Sequence, residues 1–174
     1  MSHPTHIVIM GVSGVGKSTT AALLSSALGW PLAEADDFHS LRNLSKMRSG
    51  TALNTADREP WLELSRLWMD ERGRRGISTV EACSALRREY RDHLRDVVGT
   101  VLFVLLIASR GVIAARMTLR TDHFMPLSLL DSQFAELQPL EPDESGFSID
   151  AQLPPDEIVQ LVLSHLAEAS ESAS

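Results

Sequence analysis

Cysteine is nearly missing: Cys83 is the single one in 174 residues. An intramolecular disulfide is therefore impossible, and a cysteine-based zinc site is disfavoured. Long apolar runs are missing too. The longest, residues 97–108, is interrupted by Gly99 and Thr100 and is too short to span a bilayer. The first residues carry neither a basic stretch nor a small-residue cleavage site, so no secretory signal is expected. Lysine is scarce, with only Lys17 and Lys46 among sixteen cations. From Leu127 onward there is no lysine or arginine at all, against ten acidic residues. The net charge of −7 argues against a broad nucleic-acid footprint. The 16 cations and 13 acids of residues 1–126 leave that part slightly basic, which suits a small anionic ligand as well as it suits solvated helix faces. What is present is 44% hydrophobic and 22% charged residues, an ordinary globular composition. A chain of this length buries about 70% of its unfolded surface in one domain and needs no staples. The expectation is a soluble cytoplasmic protein with no nucleic-acid or membrane partner.

Short apolar strands alternate with helical spacing along the chain. Strands are expected near 6–10, 30–33, 77–83, 101–107 and 147–149. Helices are expected at 17–28, from Asp57 as N-cap to about Gly73, from Ser84 as cap through Leu86, Tyr90 and Leu94, at 111–119, at 127–137 and at 155–167. Trp61, Leu64, Leu67 and Trp68 read as one buried helix face. Residues 168–174 read as a frayed tail. The alternation implies βαβ units and a parallel sheet covered on both sides, an α/β three-layer sandwich in a single domain over residues 1–174.

The sharpest motif is Gly11-Val12-Ser13-Gly14-Val15-Gly16-Lys17-Ser18, a complete G-x-x-x-x-G-K-[ST] between a strand and a helix. Glycines let the backbone turn its N–H groups inward, and the following helix offers its positive end to phosphate. Lys17 then bridges the β- and γ-phosphates and Ser18 holds Mg²⁺ beside ATP. The guanine-specificity element Asn-Lys-x-Asp is absent, and no apolar strand ends in an Asp-Glu pair. A GTPase and a motor ATPase are therefore disfavoured, and small phosphotransferases remain.

After the second strand stand Glu34 and Asp36. A carboxylate there can orient an acceptor hydroxyl, or hold Mg²⁺ through water; a polar loop with a capping aspartate fits the same spacing. Three cationic pairs are spaced four apart: Arg42 with Lys46, Arg87 with Arg91, and Arg116 with Arg120. The first two suit a carboxylate-bearing acceptor. The third ends a helix before a loop reaching Pro126, where arginines can close over a γ-phosphate or simply complement the helix dipole. His39 and His123 stand near these groups.

Taken together, the P-loop, the acidic-His element, Asp57-Arg58-Glu-Pro-Trp61-Leu62, Cys83-Ser-Ala-Leu-Arg87-Arg-Glu-Tyr90-Arg91-Asp92, and His123-Phe-Met-Pro126 with Leu130-Asp131-Ser-Gln133-Phe-Ala135 resemble bacterial-type gluconokinases over about residues 6–159. The resemblance implies ATP-dependent phosphorylation of D-gluconate at its 6-hydroxyl. It also implies a five-stranded parallel core like that of shikimate and nucleoside monophosphate kinases, with a substrate-binding segment (about 34–75) and a lid (about 116–135). By position it implies ATP contacts from Gly11 to Thr19 with Arg116 and Arg120, and catalytic roles for Lys17, Asp36 and Arg120. Acceptor contacts would come from Asp36, His39, Arg42, Asn43, Lys46, Arg87, Arg91 and His123. Mg²⁺ would be held by Ser18, by Asp36 through water, and by Glu34. Related kinases are often dimers, and no interface signature stands out in this sequence. The chain departs from the family at Glu34-Ala35-Asp36, where Asp-Gly-Asp is usual, and at Ser40, Arg87 and Asp122. Two alternatives stay open: a kinase of another small anionic acceptor such as shikimate, another sugar acid or a nucleoside monophosphate, and a nucleotide-binding regulator without turnover.

Overall fold

The structure is a computed structural model that describes residues 3–120 and 126–172. Five strands form one sheet: β1 (Thr5–Met10), β2 (Leu32–Glu34), β3 (Thr79–Ala82), β4 (Thr100–Ile107) and β5 (Gly146–Asp150). Their order is β2-β3-β1-β4-β5 and every pairing is parallel, with His6 opposite Thr79 and Val101, and Phe103 opposite Gly146. Seven α-helices connect and cover them: α1 (Lys17–Leu28), α2 (Leu41–Arg48), α3 (Thr55–Arg74), α4 (Arg88–Leu94), α5 (Arg110–Leu119), α6 (Leu130–Glu136) and α7 (Pro155–Ser172).

The near-continuous apolar run of β4 is explained by its two covered faces. Leu102, Val104 and Leu106 pack with Leu24 of α1, Ile113 of α5 and Val162 of α7. Phe103 and Leu105, pointing the other way, pack with Trp61 and Met69 of α3 and Tyr90 and Leu94 of α4. A third, small cluster of Met47, Leu53 and Leu129 joins the segment after α2 to the turn before α6.

Several boundaries differ from the sequence expectation. The cap of α3 is Asn54, whose side chain accepts from the Asp57 backbone N–H at 2.8 Å, while the Asp57 side chain accepts from the Asn54 N–H at 3.0 Å. Asp57 is thus the third helical residue of a capping box and not the N-cap. The buried face of α3 is Trp61, Leu62, Ser65, Met69 and Gly73, and Leu64 and Leu67 are exposed. Ser84 does not cap α4, which begins at Arg88 after Arg87. Residues 84–87 form instead a separate turn in which Ala85 takes a left-handed φ of 43°. The last helix, α7, runs to Ser172, past the residue 167 expected for its end.

Candidate active site

All five strands point their carboxyl ends at one edge, where α/β sheets bind ligands. The loop after β1 lies there. Gly11 has φ +143°, and a Cβ on it would sit 2.8 Å from the Leu106 carbonyl oxygen. Gly14 has φ +80°, and a Cβ there would meet Met117 at 2.8 Å. Side chains at either position would open the loop, so only glycine allows its tight course against β4 and α5.

Lys17, the first residue of α1, donates to the Val12 carbonyl at 2.9 Å. Burial pulls its pKa down, the facing Asp36 carboxylate pulls it back up, and Arg120 adds to the lowering. Ser18 donates its hydroxyl to Glu34 at 3.0 Å. Burial raises the Glu34 carboxyl above its usual range, against the Ser18 hydrogen bond. A cavity of about 200 Å³ collects Lys17, Ser18, Glu34, Asp36, Ser84 and Arg120. The Ser18 hydroxyl and the two carboxylates are hard oxygen donors, so this donor set fits Mg²⁺ carried in with phosphate oxygens and water. Among the described residues no cluster of three acidic, His or Cys side chains forms a cage for a metal without the nucleotide.

On the other side of the P-loop, Arg116 donates to the carbonyls of Val15 (3.2 Å) and Ala151 (2.8 Å). It lines a second cavity with Thr19, Arg120, Leu153, Pro155 and Ile158. Arg120 borders both cavities.

A third cavity runs from the P-loop into the helical segment. It is lined by Ser13, Lys17, Asp36, His39, Arg58 and Trp61, with Ser132 and Gln133 of α6. Trp61 is fixed by a 2.6 Å hydrogen bond from its Nε1 to the Ala35 carbonyl, and His39 stacks on it with ring centres 4.4 Å apart. Asn43 Nδ2 donates both to His39 Nδ1 (3.3 Å) and to the Asp57 carbonyl (2.7 Å). Burial lowers the His39 pKa, while Asp36, with an oxygen 3.9 Å from Nε2, opposes the lowering. Gln133 Oε1 accepts the Ser13 backbone N–H at 2.6 Å, so α6 reaches across to the P-loop.

The structure therefore gathers Lys17, Ser18, Glu34, Asp36, His39 and Arg120 at one place. Four expected acceptor contacts do not line these three cavities. Arg91 is the clearest correction: its guanidinium is fully buried, and all five N–H groups are spent on Glu144 and on the carbonyls of Ala85, Leu86 and Pro139. It has no donor left for a ligand. Lys46 is bound by both carboxylate oxygens of Asp57, at 2.9 and 2.8 Å. Arg42 is exposed on α2 and lines a different groove with Phe38 and Pro60. Arg87 is half-exposed, with Glu89 3.5 Å away and its guanidinium 5.9 Å from the Tyr90 ring centre. His123 lies outside the described residues.

Sequence reasoning gave no role to Arg58, Ser84, Ser132 or Gln133, and took Trp61 for core alone. The motif Asp57-Arg58-Glu-Pro-Trp61 carried the signal, because Arg58 and Trp61 are three apart on one helix face.

A family model described as an AAA domain matches residues 7–140. A gluconokinase of Arabidopsis thaliana is 45% identical over 176 residues, covering 94% of this chain and 93% of that protein. The chain belongs to the gluconokinase family. A gluconokinase crystal structure from Sinorhizobium meliloti 1021 superposes with a TM-score of 0.87 at 39% identity, covering 99% of this chain and 97% of that one. Shikimate kinase from Aquifex aeolicus has a TM-score of 0.60 at 19% identity over 95% of this chain and 98% of that one, a likeness of fold alone. Like other members of the gluconokinase family, this protein is a P-loop kinase with an α/β fold around a five-stranded parallel sheet.

Proposed function

We propose that this enzyme transfers the γ-phosphoryl group of ATP to the 6-hydroxyl of D-gluconate, giving 6-phospho-D-gluconate and ADP. The observation that carries the reading is the cavity that brings Lys17 and Asp36 together with His39, Arg58 and Trp61. A sugar acid matches it, because it offers a hydroxyl to Asp36 and a carboxylate to the Arg58 guanidinium.

The P-loop amides and Lys17 hold the β- and γ-phosphates. Ser18, Glu34 and Asp36, the last through water, are the groups that would hold Mg²⁺, which supplies charge neutralisation at the transferring phosphates. Asp36 orients the gluconate 6-hydroxyl in line with the γ-phosphorus. The hydroxyl oxygen forms the new P–O bond as the bond to the β–γ bridging oxygen breaks, ADP leaves, and the hydroxyl proton passes to Asp36. Arg120 offsets charge on the transferring group from the end of α5. Arg58 and His39 receive the acceptor. Residues 34–75 then act as the acceptor segment and residues 116–135 as the lid that excludes water. The described helices include none long and apolar enough to cross a membrane, and the reading places the enzyme in the cytoplasm.

The test is ADP release with Mg-ATP and D-gluconate, beside shikimate, AMP, CMP and a blank without acceptor. Release with gluconate alone is expected. Release with another acceptor moves the substrate and keeps the chemistry; ATP binding without acceptor-dependent release overturns the catalytic reading. Lys17→Met and Asp36→Asn are each expected to lower kcat by about a hundredfold or more, since positioning and electrostatics carry phosphoryl transfer. Near-normal turnover in Asp36→Asn would remove it as the base.

A further inference from the structure

We propose that Glu136, on α6, is a positioning residue that sets the Arg58 guanidinium in the acceptor cavity. The inference rests on the gluconate reading for the identity of the anion that Arg58 meets.

Arg58 is a cation with only 13% of its side chain exposed, in the wall of the cavity that also holds Lys17 and Asp36. A buried guanidinium with several rotatable bonds needs neighbours to fix its direction. Two groups converge on its Nη1. Tyr90, on α4, accepts a hydrogen bond through its hydroxyl at 2.9 Å, and Glu136 Oε2 makes a charge contact at 2.7 Å. The guanidinium carbon also lies 5.5 Å from the Tyr90 ring centre. The Tyr90 hydrogen bond and the closest approach of Glu136 both fall on Nη1, so the guanidinium is held from one terminal nitrogen. The Glu136 side chain is itself 15% exposed, so the pair works in a poorly solvated place where charge contacts carry more weight than at the surface.

Glu136 is well placed to relate the two halves of the site. Ser132, Gln133 and Glu136 recur at helical spacing on α6, and the first two line the same cavity. One turn before Glu136, Gln133 holds the P-loop amide of Ser13. One short helix thus touches the P-loop through Gln133 and Arg58 of α3 through Glu136.

The experiment measures KM for gluconate, KM for ATP and kcat in Glu136→Gln, Arg58→Lys and the double variant, with thermal unfolding alongside. Wild-type enzyme is assayed first; if it does not phosphorylate gluconate, the functional reading falls and the same series is run with the acceptor it does use. Glu136→Gln keeps the shape and removes the charge. It is expected to raise the gluconate KM about tenfold, the scale of a lost charge contact in a poorly solvated place, and to leave the ATP KM within about twofold. In the Arg58→Lys background the same change is expected to add little, because the group it positions is already altered. An unchanged or lower gluconate KM overturns the proposal, as does a parallel rise in both KM values or full additivity with Arg58→Lys. If Glu136→Gln fails to fold, Glu136→Asp decides: a gluconate-selective KM rise supports the proposal, and no selectivity overturns it.

Discussion

All five N–H groups of Arg91 point at acceptors: two at the Glu144 carboxylate (2.6 and 3.0 Å) and three at the carbonyls of Ala85, Leu86 and Pro139. Burial pushes the Glu144 carboxyl up, but the Arg91 hydrogen bonds, the Glu141 backbone N–H and the charges of Arg91 and Arg88 together hold it below the usual range. The consequence is mechanical. Ala85 sits at φ 43°, a strained angle for a residue with a side chain, and the turn around it presents Ser84 and Leu86 to the acceptor cavity. Arg91 braces that turn from behind. Arg91→Met should therefore cost about 3–5 kcal/mol, because it strands a buried carboxylate. Adding Glu144→Leu should return most of the loss, since a well-packed apolar pair can replace a buried ion pair. Urea unfolding of the single and double variants checks both statements, and a single variant within about 1 kcal/mol of wild type would mean the turn holds itself. This residue also marks where sequence reading stops. Arg87 and Arg91 have the spacing of a cationic face, but Glu144 lies 53 residues away and nothing local announces it. Lys17, Ser18 and Asp36 were legible because the P-loop is local in sequence and a parallel sheet brings successive strand ends to one edge. Arg58 escaped because only the packing of α3 against α4 and α6 turns it inward.

At the scale of elements, patterns that depend on neighbours in sequence were readable and the choice among adjacent caps was not. The five strands and six of the seven described helices follow the alternation of apolar runs and helical spacing, α2 not being among the expected helices, and α1 ends at Gly29 with φ 67°, the left-handed stop that glycine allows. The start of α3 was misplaced because Asn54 and Asp57 are both good capping residues and the structure uses both, in reciprocal roles. Leu64 and Leu67 were misassigned because the same helix also offers Leu62, Ser65 and Met69 for burial. Ser65 is chosen for its hydrogen bond to Glu81, which hydropathy does not encode. The capping box makes a testable order. Asn54→Ala should lower stability by about 1 kcal/mol. Asp57→Ala should cost more than Asn54→Ala, because it also strips Lys46 of both carboxylate contacts, the largest reason the Asp57 carboxyl sits below the usual range. Thermal melts of the two variants give the order directly; equal losses would show that the Lys46 pair contributes nothing beyond the cap.

The stability of the whole molecule should carry the signature of one carboxyl group. Glu81, in the middle of β3, is fully buried, with Ser65 donating to Oε1 at 2.5 Å and no described partner for Oε2. Around it stand Val8 and Ala33 on the adjoining strands, Ser65 of α3 and the buried Cys83, with the Glu34 carboxylate the nearest charge that acts on it. Among the described residues no cation answers it, and burial raises its pKa to about 8. The sign follows from proton counting. Between the ordinary carboxyl range and pH 8 the folded protein keeps a proton that the unfolded chain has lost, so unfolding releases a proton and stability falls as pH rises through that window. Above about pH 8 both states are ionised there and the fall levels off. Each pH unit within the window costs about 1.4 kcal/mol, so the whole decline is on the order of 5 kcal/mol. The paired acids work in the opposite direction at lower pH. Glu63, held to about 2 by Arg66, and Asp70, held down by Arg74, contribute stability above their ordinary pKa that is lost in acid. The melting temperature should therefore peak near pH 5 and decline toward pH 8, where most comparable domains are flat. Glu81→Gln removes the titration while keeping an acceptor for Ser65, so it should flatten the decline and be more stable than wild type at pH 8. Melting curves of the two proteins from pH 4 to 9 test this; parallel curves across the window would mean that Glu81 is ionised in the fold and that water or a structural adjustment reaches its second oxygen.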